Sequence, residues 1–131
     1  MTFVYTILML IMLVFAGLQF NDPDGLFWVL IYALTAIVLG LAAFVPHWFA
    51  TLPGRILLFL FVVALACGVY VYWPSQLNSF ATAQWWDNEL VKEGFGVALA
   101  YLFTCVTVPL AFRSSVRRLK KVVDNTVEFD D

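Results

Sequence analysis

Four apolar runs dominate this chain: residues 3–20, 26–45, 55–73 and 94–112. A stretch of about 18 or more apolar residues matches the thickness of a bilayer's hydrocarbon core when helical. Inside hydrocarbon every backbone N–H and C=O must find its partner within the protein, so runs of this kind fold as helices. The expected class is therefore all-α, an integral membrane bundle of four transmembrane helices. Only 12% of the 131 residues are charged, against about 25% in soluble globular proteins. That length allows one domain. The first run has no Lys or Arg ahead of it and no small-x-small site after it. It reads as a mature helix rather than a cleaved signal peptide.

The sharpest polar break is Gln19-Phe20-Asn21-Asp22-Pro23-Asp24-Gly25. Asn, Asp, Pro and Gly form turns, and a turn between spanning helices belongs at the water interface. Asp22 before Pro23 reads as an N-cap with proline at the first helical position. Asp24 then faces the positive end of the helix dipole. The competing reading is that Asn21, Asp22 and Asp24 hold a cation. A calcium-binding EF-hand is excluded, since Phe20 and Ile31 stand where its first and closing ligands belong.

Small residues spaced four apart let helices approach closely. Ala36 with Gly40, Ala64 with Gly68, and Gly94 with Ala98 are such pairs, as are Gly96 and Ala100. Trp28 and Tyr32 share one helix face and read as core. Residues 46–54, with His47 and Trp48, read as an interfacial loop. One histidine cannot build a bis-histidine haem site or a typical zinc site. Residues 74–83 suit a short helix lying on the membrane. Trp73, Trp85 and Trp86 suit an aromatic belt. Pro109 should kink or end the fourth helix. Cys67 and Cys105 should differ in depth by roughly 7 Å of helix rise, which predicts two free, buried thiols.

Four spans put both termini on one side, together with Arg55 and the tail residues Arg113, Arg117, Arg118, Lys120 and Lys121. Only Lys92 falls on the other side. The positive-inside rule then predicts cytoplasmic termini, in a plasma (inner) membrane. The tail, residues 113–131, is basic then acidic. Its basic half reads as a topology signal, and as a contact for anionic lipid headgroups. A basic cluster this short gives no support to nucleic-acid binding.

Gln19-x-Asn21-Asp22-Pro23-Asp24, followed by Trp28 and Tyr32, resembles the first loop and second helix of the transmembrane protein 220 family. Glu89-x-x-Lys92-Glu93-x-x-Gly96 resembles that family's second outer motif, where the resemblance implies Arg in place of Lys92. Lysine cannot form the bidentate fork that arginine makes with a carboxylate. Thr35 stands near a place where the resemblance implies a helix proline, so a straighter second helix is expected here. The likeness covers about residues 1–112. It implies a four-helix membrane bundle and no established catalytic activity.

The chain shows no nucleophile–base pair, histidine cluster or phosphate loop, and no charge in mid-membrane. Its aromatic and small-residue faces suit helix contacts. The expectation is a non-catalytic accessory or scaffold subunit of a larger membrane assembly, in contact with lipid and with other membrane-protein subunits. The alternatives are a cation-binding or transport protein with an acidic outer mouth, and a membrane enzyme using outer-face carboxylates. No cofactor is expected. On the outer rim Gln19, Asn21, Asp22, Asp24, Glu89, Lys92 and Glu93 are expected to form one hydrogen-bonded cluster that locks the two hairpins together. Its oxygens Asn21, Asp22, Asp24, Glu89 and Glu93 are of the kind that Ca²⁺ takes.

Overall fold

A computed structural model describes residues 2–21, 24–72 and 89–109. The chain is all-α. Helix α1 spans Thr2–Leu18 and closes in a 3-10 turn, Gln19–Asn21; α2 spans Gly25–Phe44; a second 3-10 turn, Pro46–Ala50, leads into α3, Leu52–Tyr72; α4 spans Glu89–Cys105. Among the described residues three segments are long and apolar enough to cross a membrane: Thr2–Asn21, Gly25–Phe44 and Leu52–Tyr72. The described part of α4 is 17 residues.

The short Gln19–Gly25 connection forces α1 and α2 into an antiparallel pair, and theirs is the most extensive helix interface. Helix α3 packs on α4, and α2 reaches α4 as well. The core lies along α2: Trp28, Tyr32, Thr35, Ala36 and Leu39 are all buried. A Cβ on Gly40 would stand 3.1 Å from the Met9 sulfur, and one on Gly68 would stand 3.1 Å from Val97 Cγ1. These glycines therefore seat α1 against α2 and α3 against α4. Ala36 shares the buried face of Gly40, whereas Ala64 is exposed. Gly94 is buried and Ala98 half-buried.

Four expectations need correcting. Helix α2 starts at Gly25 with Asp24, not Asp22, in the cap position, and the Asp24 side chain caps no backbone N–H. Helix α3 starts at Leu52 rather than 55. Thr51 caps it, its hydroxyl accepting from the Gly54 amide at 3.2 Å. Pro53 is tolerated there because first-turn amides lack intrahelical partners. Gly54 is obligatory, since a Cβ would overlap the Trp48 carbonyl. Helix α4 is already helical at Glu89, ahead of 94, so the charged motif is helical. Its regular part stops at Cys105, a tighter turn follows in which the Thr107 amide donates to the Thr104 carbonyl at 2.9 Å, and Val108 and Pro109 are helical again. Pro109 offers no N–H to the Cys105 carbonyl, which loosens the helix at that turn. Finally, both cysteines are free, but Cys67 is exposed and Cys105 only partly buried. Asp22, the 74–83 segment, the tryptophans at 73, 85 and 86, and the tail lie outside the described residues.

The buried threonine hydroxyls are satisfied locally. Thr35 donates to the Ile31 carbonyl at 2.8 Å, Thr104 to Ala100 at 2.8 Å and Thr107 to Thr104 at 2.7 Å. Most large apolar side chains of α1 and α3 point outward. In water such a surface would aggregate; against lipid tails it is ordinary.

Candidate functional site

Helices α1 and α4 run antiparallel to each other and make little mutual contact. At one end the Tyr5 hydroxyl donates to the Val106 carbonyl at 3.2 Å. At the other end the two helices stand apart around a cleft of about 360 Å³. Phe15 and Leu18 of α1 form one wall, Val91, Phe95 and Leu99 of α4 the other, with Gln19 and Lys92 at the same end and Tyr32 of α2 also lining it. Such a volume falls at the low end of the small-molecule range, and between-helix positions are a usual place for such sites.

Tyr32 is fixed from several sides. It is almost fully buried. Its ring lies 5.8 Å from Phe15 and stacks on Trp28 at 6.4 Å, centroid to centroid. Trp28 in turn meets Tyr72 of α3 edge-on at 5.3 Å. The Tyr32 hydroxyl is in hydrogen-bonding reach of the Gln19 side chain, and Glu93 is near enough to act on it electrostatically. Gly96 makes room for that hydroxyl, because a Cβ there would overlap it. One tyrosine on α2 thus joins the turn that ends α1 to the first turns of α4.

Of the seven residues expected in one outer cluster, Gln19 and Lys92 line this cleft, and Glu93 stands beside Tyr32. Asp24 goes elsewhere: its Oδ2 accepts the Trp28 indole N–H at 3.2 Å. Asn21 is exposed. Asp22 and the Glu89 side chain lie outside the described residues. Among the described residues no group of three or more His, Cys, Asp or Glu is placed to hold a metal ion. Three residues of the site were not read as such from sequence: Tyr32, Phe15 and Gly96. The signals lie in the Trp28–Tyr32 spacing and in the glycine that closes the Glu89 motif, each of which also fits plain helix packing.

The cleft presents apolar walls, one amide, one phenol and one ammonium, with no Ser, Cys or His among its lining residues. That set can bind and orient a ligand.

Comparison with curated proteins and with solved structures gives no match. A family model described as "Transmembrane family 220, helix" matches residues 11–108. The match runs from within α1 to the turn after α4 and takes in both motifs that converge on Tyr32, and on that basis the chain belongs to transmembrane family 220.

Proposed function

We propose that this is a non-catalytic, four-pass membrane protein that serves as an accessory or scaffold subunit of a larger membrane assembly. The observation that carries this reading is how little of α1 and α3 the chain covers by itself. In the most apolar window of each, only 17% of the residues are buried, against 39% for α2. Gly17 on α1 is exposed, with nothing within 4 Å of where a Cβ would be. Ala64 is the exposed small residue of α3. A neighbouring helix can come close at such positions.

In this reading α4 is the fourth span and both termini are cytoplasmic, with Arg55 on the inner side and Lys92 on the outer. The basic tail residues Arg113 to Lys121 meet anionic headgroups on the inner leaflet. The group of Gln19, Tyr32 and Glu93 holds the first hairpin to α4, so that the outward faces of α1 and α3 keep a fixed relation.

Mild solubilisation from the native membrane followed by native mass spectrometry tests the assembly. A defined complex with other membrane subunits is expected; a chain recovered only as a monomer refutes it. Topology is tested by single cysteines in a background free of Cys67 and Cys105. An impermeant maleimide added from outside should label a cysteine at Asn21 and spare one at His47. The reverse pattern overturns the orientation.

A further inference from the structure

We propose that the cleft between α1 and α4 is a lipid site that holds one acyl chain of an anionic glycerophospholipid, with the lipid phosphate at Lys92 and a glycerol ester near Gln19. This does not depend on whether the chain has protein partners.

The argument begins with where the cleft opens. Leu18 and Phe95 line it from opposite helices and are themselves exposed. In a membrane protein an apolar mouth between two spanning helices faces hydrocarbon. The lining beyond the mouth is almost wholly apolar, so water gains few hydrogen bonds by entering. A gap left unfilled would forfeit dispersion contacts along both walls. Something apolar from the bilayer fills it.

The cleft, about 360 Å³, has room for a segment of flexible acyl chain. The polar groups select the head. Lys92 is exposed and is the only side chain of formal charge among the described lining residues. It sits at the interfacial end of α4, where a lysine keeps its ammonium among headgroups and its stem along apolar surface. An anionic phosphate answers that charge. Gln19 also lines the cleft, at the end of α1, where an ester carbonyl of the same lipid would meet an amide donor. Glu93, which acts on Tyr32 from beside the cleft, is not among its described lining residues.

The test uses the full-length protein in nanodiscs and in detergent, with phosphatidylglycerol and phosphatidylcholine of identical acyl chains as probes. Native mass spectrometry should find one tightly retained phosphatidylglycerol per chain and weaker retention of phosphatidylcholine. Lys92→Gln, on an exposed residue, should lower that preference about fivefold, the equivalent of about 1 kcal/mol for one lysine near an anionic surface. Leu99→Trp should fill the cleft and abolish retention of both lipids. If Leu99→Trp fails to assemble, the Lys92→Gln comparison decides alone. Equal retention of the two lipids by the wild type, an unchanged preference in Lys92→Gln, or a retained free fatty acid in place of the phospholipid would each overturn the proposal.

Discussion

Gly96→Ala is the sharpest test of how the two motifs fit together. Taken by itself the substitution should help a helix, since alanine is favoured over glycine by about 1 kcal/mol in a helix interior. Here the new methyl group would overlap the Tyr32 hydroxyl and lie 2.9 Å from ring carbon Cζ. Tyr32 has little room to retreat, being 2% exposed and hemmed by Phe15 and Trp28. Forcing extra volume into a packed site costs about 1–3 kcal/mol, and a ring held on several sides belongs at the upper end. The expected net result is a loss of about 1–2 kcal/mol. Reversible denaturation in mixed micelles measures it. Tyr32→Phe removes the atom that clashes most, at the expense of its link to Gln19, a loss of about 0.6–1.7 kcal/mol for a hydrogen bond between membrane helices. The double variant should therefore be more stable than the sum of the single changes predicts, by about 1 kcal/mol. A Gly96→Ala protein as stable as the wild type, or strict additivity, would show that Tyr32 does not occupy this seat.

Other expectations follow from individual contacts. Gln19→Leu and Tyr32→Phe should be coupled by about 0.6 kcal/mol or more in a double-mutant cycle by micellar denaturation, because they remove the same hydrogen bond; independence would break the link between α1 and α2 at the rim. Asp24→Leu should cost about 1 kcal/mol by the same assay, since it removes the acceptor of the Trp28 indole, whereas Asp24→Asn keeps an acceptor oxygen and should lie within about 0.5 kcal/mol of wild type. Replacing both cysteines by alanine should leave the bundle assembled on size-exclusion chromatography, as neither is bonded to the other; loss of the folded peak would reveal a role that the free thiols do not suggest.

How far the fold could be read in advance differs from helix to helix. The first two helices were legible to within a residue or two, because Gln19 to Gly25 is a dense run of turn formers between uniform apolar stretches. Helices α3 and α4 were placed too late, and for one reason. Their first turns carry residues that apolar counting rejects: Pro53, Gly54 and Arg55 in one, Glu89, Lys92 and Glu93 in the other. Helix starts tolerate proline and favour acids, so composition and helicity part company there. The rim site was half legible. That the two motifs would share one end of the bundle followed from connectivity alone. That Asp24 would turn to Trp28, and that Tyr32 would reach Gly96, depends on how α2 is rotated about its axis. A helix that is apolar nearly all round does not announce its rotation. Only the smallest residues do, and Gly96 was the informative one.

Thr35, Thr104 and Thr107 each return their hydroxyl to a carbonyl of their own helix. These three polar groups therefore tie no helix to another, and the contacts they make survive a change in tilt or a small axial slide of one helix past its neighbour. Matching a spanning segment to a thinner or thicker bilayer takes such tilting, at a fraction of a kcal/mol per Å of mismatch. A bundle whose threonines bond in this way can follow the thickness of its membrane without stranding them, with the Tyr5–Val106 bond at one end and the rim around Tyr32 at the other as its fixed points.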